Sequence, residues 1–128
     1  MLYSVSAVAI GATIGALLRW WLGFALNHRW SVFPLGTWIA NLLGGFLVGM
    51  AVAWFSKHPD VHPAWRLFVI TGLLGGLTTF STFSAEVVEL MQSGRYYSAM
   101  LAALLHVLGS LAMTVLGISL IEALDAKG

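Results

Sequence analysis

The segment from Thr71 to Glu86, TGLLGGLTTFSTFSAE, combines the residue types that could bind a small ion inside an apolar stretch. The pair Gly75-Gly76 weakens a helix at that point, and two phenylalanines and a series of hydroxyl side chains follow: Thr78, Thr79, Phe80, Ser81, Thr82, Phe83 and Ser84. A lipid bilayer tolerates irregular backbone only where protein or a polar cavity surrounds it. We therefore expect this segment to be buried among other helices and to contact whatever the protein handles.

Two kinds of ion chemistry are available near this segment. Phe80 and Phe83 are three residues apart and share a helix face, and the edge of an aromatic ring is electropositive. Together with the Asn41 amide and the nearby hydroxyls, such edges would suit a small anion, although phenylalanines often only pack and a buried asparagine often bridges two helices. Carbonyls released from helical bonding between Gly75 and Thr78 could instead coordinate Na⁺.

The last apolar run places three polar residues on one helix face. His106, Ser110 and Thr114 recur at intervals of four residues. Each hydroxyl could bond to a carbonyl of its own helix, but we favour a polar track that lines a path for water or ions. Asn41, Phe83 and His106 are each about nine or ten residues from the same membrane face, or roughly 14 Å deep. This shared depth permits a single polar layer near mid-membrane but does not by itself establish contact.

Arg19 and Glu86 are charged residues within apolar runs, where a charge requires a partner or an aqueous vestibule. Both lie about seven residues from the same predicted membrane face. An ion pair between them is the preferred interpretation. In the alternative, Glu86 meets a hydroxyl group and Arg19 draws anions toward a pore mouth.

The composition identifies the class of protein. The chain has 128 residues, of which 59% are hydrophobic and 9% are charged, whereas soluble domains carry roughly 25% charged residues. A net charge of +1 without basic clusters does not indicate a nucleic-acid partner. The absence of cysteine excludes disulfides and thiolate chemistry. We predict an integral membrane protein.

Four apolar runs are long enough to cross a bilayer, because a spanning helix needs about 20 residues. The first run is longer than the apolar core of a secretory signal, about 7–15 residues, so we expect it to be retained as a span. The loops are too short to hold another domain. The prediction is a single all-α membrane domain over residues 1–128, with a break in helix 3 and approximate spans 2–27, 32–56, 64–92 and 96–122.

Glycine spacing indicates close helix packing. Gly11–Gly15, Gly45–Gly49 and Gly72–Gly76 each form a GxxxG pattern, which lets two helix backbones approach closely in lipid. Four short helices still enclose little interior. We therefore expect an oligomer to build the polar path.

The loop charges specify orientation only weakly. One side of the membrane receives three basic residues and the other receives two or three: Lys57, Arg66 and Lys127 against Arg29 and Arg95, with Arg19 leaning to the second side. Either the insertion machinery fixes a single orientation, or both orientations are made and pair as an antiparallel dimer. Both interpretations stay open on charge alone.

At GGLTTFSTFSAE the chain resembles the Fluc (CrcB) family of fluoride channels. The resemblance covers essentially the whole chain and includes GATIGALLRW in helix 1, GTWIANLLGG in helix 2 and His106-x3-Ser110 in helix 4. It implies an antiparallel, dual-topology homodimer with two pores, located in the bacterial inner membrane. Such a protein exports fluoride passively from the cytoplasm and confers fluoride resistance.

The resemblance also implies roles for individual residues. Phe80 and Phe83 would present ring edges to fluoride, while Asn41 would help to position them and donate to the ion. The polar track would be formed by His106, Ser110 and Thr114. The backbone carbonyls of Gly75 and Thr78, each given twice by the dimer, would hold a central structural Na⁺.

Two other kinds of protein are weighed against a fluoride channel. A small dual-topology multidrug exporter also has four helices, but it depends on an acidic residue in helix 1, where this chain carries Arg19. A non-transporting assembly subunit would not require hydroxyls and aromatics at a helix break. An enzyme is not expected, because no acid–base pair, metal-ligand cluster or activated nucleophile is evident.

Overall fold

The fold, described for residues 1–128 by a computed structural model, is entirely helical and contains no strand. The elements are α1 (Leu2–Leu26), α2 (Leu35–Lys57), α3 (Pro63–Arg66), a π-helical segment (Leu67–Leu74), α4 (Gly75–Leu77), α5 (Phe80–Gln92) and α6 (Tyr96–Asp125). Four helices are long and apolar enough to cross a membrane: Leu2–Leu26, Leu35–Lys57, Pro63–Gln92 and Tyr96–Asp125. The prediction of an all-α protein with four membrane-spanning helices is confirmed, and this is a multi-pass membrane protein.

The second span begins at Leu35 rather than at residue 32, because the residues before it form a loop that caps the helix. Pro34 is the extended residue at the N-terminus of α2, with ψ 111°. Asn27, which follows α1, accepts a hydrogen bond from the Thr37 N–H at 3.2 Å through its side-chain oxygen. One of the free N–H groups at the start of α2 is thereby satisfied by a residue of the preceding loop.

The third span, Pro63–Gln92, is the irregular one. After the π-helical segment, α4 ends at Leu77, and α5 begins only at Phe80. The two residues between them have extended backbones, with ψ 153° at Thr78 and ψ 119° at Thr79. Gly75 itself is helical, with φ −64° and ψ −35°. The non-helical residues therefore follow the glycine pair instead of coinciding with it.

The spans pack in a defined order. α2 lies along α6, α1 lies against the π-helical segment and α4, and α5 packs on α6. The closest approach between α1 and the third span depends on Gly15, because a Cβ atom there would be 2.8 Å from the Leu77 backbone nitrogen. The glycine pattern predicted close packing of the helices, although not this particular pair.

The interior of one copy is small. Only 19 of 128 residues are buried, and many large apolar side chains are exposed. One core cluster joins α2 to the third span and consists of Ala40, Leu74 and Leu77, and a second joins the first loop to α5 and α6 and consists of Phe33, Leu90, Ala99 and Ala102. An apolar outer surface of this extent suits contact with lipid or with another copy of the chain.

Candidate functional site

A groove of about 590 Å³ lies beside the extended residues of the third span. Seven of the predicted site residues line it: Asn41, Gly75, Thr78, Phe80, Phe83, His106 and Ser110. The structure adds four residues to which sequence analysis assigned no individual role: Gly45, Thr79, Val107 and Leu111. The second, third and fourth spans therefore converge on one cavity at the position of the helix interruption.

Asn41 is the polar centre of this groove. Its Nδ2 donates to the Thr79 carbonyl at 3.0 Å, and the Thr79 N–H donates to Asn41 Oδ1 at 2.8 Å. The same Nδ2 lies 3.1 Å from His106 Nδ1. The predicted polar layer thus includes a direct contact between Asn41 and His106. Both amide hydrogens of Asn41 already have protein partners, so donation to an ion would require breaking one of these bonds.

The aromatic rings form a continuous row at the same level. Phe83 is 8% exposed and stacks on the imidazole of His106, with ring centroids 4.5 Å apart. Phe80 meets Phe83 edge-on at 5.4 Å, yet it is 76% exposed and stands at the open side of the groove. A ring exposed to this extent in one copy is available to a second copy or to lipid.

The predicted polar track on α6 is only partly in the groove. His106 is 3% exposed and lines the groove with Ser110. Thr114 does not line it, and its hydroxyl donates to the Ser110 carbonyl at 2.9 Å. Local bonding of this kind was the alternative interpretation for each hydroxyl, and it describes Thr114.

Gly75 and Thr78 carry backbone carbonyls without their usual helical donors. In a regular helix the Gly75 carbonyl would accept from the Thr79 N–H, which here donates to Asn41. The Thr78 carbonyl would accept from the Thr82 N–H, which here donates to the Thr79 hydroxyl at 3.2 Å. Side chains offer no substitute ligands, since the structure has no group of three or more His, Asp or Glu residues that could hold a metal ion.

Arg19 and Glu86 do not form the predicted ion pair. Arg19 Nε donates to the Gly76 carbonyl at 3.1 Å, and Glu86 accepts from the Thr37 hydroxyl at 2.5 Å. The ion-pair prediction assumed that residue counts from the loops give equal depths, but the third span is 30 residues long and interrupted. Gly76, at the site where α4 ends, offers Arg19 a nearer acceptor. The alternative interpretation, in which Glu86 meets a hydroxyl group, agrees with the structure.

A smaller pocket of about 340 Å³ lies at the end of the bundle near Glu86. It is lined by two carboxylates and by Arg95, which donates to the carbonyls of Ser31 and Val32. Glu86 lies between this pocket and Thr37 of α2. Sequence analysis did not select Thr37, although it precedes Asn41 by four residues and therefore shares its helix face.

The chain is similar to one protein family and to relatives that share one name. Residues 6–118 match the family described as CrcB-like protein, Camphor Resistance (CrcB). The chain is 55% identical over 125 residues to the "Fluoride-specific ion channel FluC" of Tolumonas auensis, with 98% of each chain covered. It is 52% identical over 125 residues to the protein of the same name from Paraburkholderia xenovorans, covering 98% of this chain and 99% of the other.

A third relative with that name, from Pseudomonas aeruginosa, is 56% identical over 115 residues, covering 90% of this chain and 91% of the other. All three relatives are named as ion channels, a class of membrane protein distinct from enzymes. The similarity extends over all four spans and the groove.

Proposed function

The chain belongs to the CrcB family, and from this membership we propose that it is a fluoride-selective ion channel of the bacterial inner membrane. Transport is passive and carries fluoride out of the cytoplasm. The observation that carries the proposal is the groove at the interruption of the third span, where ring edges and polar groups meet at one level of the membrane.

The chemistry of the groove suits a small anion. Phe80 and Phe83 offer electropositive ring edges, and no carboxylate lines the cavity. The low-dielectric surroundings strengthen the attraction between such donors and an ion. A binding site made of neutral donors attracts fluoride without trapping it, and conduction requires that balance.

A second copy, in the opposite orientation, completes the path in this proposal. The groove is open on the side of Phe80, which is 76% exposed, and Gly75 is exposed nearby. The nearly equal loop charges permit both orientations. An antiparallel homodimer then contains two symmetric grooves and two pores.

A structural Na⁺ between the two copies fits the backbone chemistry of the interruption. The Gly75 and Thr78 carbonyls lack their helical donors, and a hard cation prefers oxygen ligands of this kind. Two carbonyls from each copy would supply four oxygens. We expect replacement of sodium by N-methylglucamine to lower the melting temperature of the purified dimer, whereas an unchanged melting temperature would argue against this ion.

Fluoride transport is tested with purified protein in liposomes loaded with potassium fluoride, with potassium shunted by an ionophore. A fluoride electrode should record rapid efflux, and liposomes loaded with potassium chloride should show no comparable chloride efflux. Addition of a protonophore should leave the rate unchanged, because the transport is not coupled to protons. Absence of fluoride efflux would refute the proposed function, and efflux that depends on a proton gradient would indicate an exchanger.

The orientation of the copies is tested by cysteine labelling. Because the chain contains no cysteine, an introduced cysteine is the only thiol that can react. In Gly128→Cys, a membrane-impermeant maleimide should label about half of the protein in sealed vesicles and all of it after permeabilisation. Labelling from one side only would exclude the antiparallel homodimer while leaving fluoride transport untouched.

A further inference from the structure

The hydrogen bonds around Asn41 determine which nitrogen of His106 carries its proton. The Thr79 N–H can only donate and the Thr79 carbonyl can only accept, so the Asn41 amide has one possible orientation. Nδ2 therefore faces both the Thr79 carbonyl and His106 Nδ1. Since Nδ2 is a donor, His106 Nδ1 must accept, and the imidazole proton must be on Nε2.

His106 Nε2 is left as an N–H donor without a partner in the chain. The hydrogen bond to Asn41 is the one polar contact of the imidazole. No buried side-chain nitrogen or oxygen lacks a partner, so Nε2 is not sealed inside the protein. His106 lines the groove, and its ring is held against Phe83 at 4.5 Å and near Phe33 at 6.1 Å. The free N–H therefore belongs to the cavity and not to the packed core.

We propose that His106 donates its Nε2–H to the anion in the groove and that Asn41 is a positioning residue that fixes this tautomer. The inference rests on the proposed fluoride transport and identifies which polar side chain contacts the ion. Asn41 cannot contact the ion without losing its hydrogen bond to Thr79 or to His106, because both of its amide hydrogens are used. An imidazolium is incompatible with the arrangement, since it would direct Nδ1–H at the Asn41 N–H.

The tautomer is measured directly by nitrogen-15 NMR of protein labelled at histidine and reconstituted in lipid. The His106 signals are identified by their loss in His106→Gln, since the other three histidines remain. We expect a protonated Nε2 and an unprotonated Nδ1, and a change in the Nε2 signal when sodium fluoride replaces sodium chloride. A proton on Nδ1, or signals that do not respond to fluoride, would overturn the inference.

The variant Asn41→Asp should reverse the tautomer. Its carboxylate can still accept from the Thr79 N–H but has no N–H to give, so His106 Nδ1 must become the donor. A His106 that keeps its proton on Nε2 in this variant would show that Asn41 does not position it. If the variant does not fold, the wild-type spectrum still decides the inference.

Two substitutions of His106 separate ion contact from packing. His106→Phe keeps an aromatic ring between Phe33 and Phe83 but has no donor, and we expect roughly 10- to 100-fold lower fluoride flux. His106→Gln can accept from Asn41 and still donate to the groove, so it should retain more flux than His106→Phe. Equal flux in His106→Phe and wild type would overturn the donor role. Absence of flux in the wild type would instead refute the proposed function, and the NMR experiment would still report the tautomer.

Discussion

Asn41 and Thr79 are joined by two hydrogen bonds, one in each direction, at 3.0 and 2.8 Å. Asn41 belongs to α2, and Thr79 is an extended residue of the third span. The side-chain amide satisfies both backbone groups of a residue that has left the helix. Because an unsatisfied backbone group in a bilayer costs several kcal/mol, this pairing stabilises the interruption.

Replacement of Asn41 by leucine should destabilise the fold by about 1–3 kcal/mol, because the N–H and carbonyl of Thr79 would lose their partners. Denaturant unfolding in detergent micelles measures the change. Leu43→Ala on the same helix is a suitable control, since Leu43 is 42% exposed and its truncation leaves the groove intact. Equal stability of Asn41→Leu and wild type would contradict the role assigned to this pairing.

A methyl group at Gly15 should force α1 away from the third span. The added Cβ would be 2.8 Å from the Leu77 nitrogen, and overpacking of a fixed backbone costs about 1–3 kcal/mol. The matched control is Gly23→Ala on the same helix, where the nearest atom is the Asn27 side-chain nitrogen at 3.3 Å. There we expect no loss, or a gain of up to about 1 kcal/mol from helix propensity. Thermal unfolding of both variants provides the comparison.

Sequence analysis predicted the four membrane-spanning helices because apolar length is a direct requirement of the bilayer. It also predicted that Asn41, Phe83 and His106 share a level of the membrane, since depth follows from residue counts along regular helices. Seven of the predicted site residues line one groove. Both the depth and the convergence on one groove depend on side-chain type and on position along the helix axis, which the sequence contains.

The predictions failed where they depended on the direction of a side chain or on the hydrogen bonding of the backbone. Arg19 binds the Gly76 carbonyl, which became available only because α4 ends one residue later. Thr79 contributes its backbone N–H and carbonyl, which every residue type except proline has, so its side chain gave no signal. Glu86 pairs with Thr37 through a side-chain direction that residue counts do not specify. To predict which side chains pair between helices, one must know how the helices pack as well as how deep each residue lies in the membrane.

Thr37 and Glu86 should be energetically coupled, because the hydroxyl donates to the carboxyl group at 2.5 Å in a partly buried position. A double-mutant cycle of Thr37→Val and Glu86→Ala should give a coupling of about 0.5–3 kcal/mol in denaturant unfolding. Thr37→Ser keeps the hydroxyl and should restore most of the stability.

The same cycle for Arg19→Ala and Glu86→Ala should be additive within about 0.5 kcal/mol, since these side chains share no partner. A strong coupling between Arg19 and Glu86 would mean that they pair after all, in contrast to the structure of one copy.

Substitutions of Phe80 and Phe83 should differ in their effect on stability, but both should lower fluoride transport. Phe83 is 8% exposed and stacks on His106, so Phe83→Ile should cost about 0.5–1.5 kcal/mol from the lost aromatic contact. Phe80 is 76% exposed, and Phe80→Ile should change the stability of a single copy by less than about 0.5 kcal/mol. Both substitutions remove an electropositive ring edge, so fluoride efflux should fall in each. Efflux at the wild-type rate in a well-folded Phe80→Ile variant would exclude Phe80 from the ion path and leave its exposed ring as a contact for lipid or a second copy.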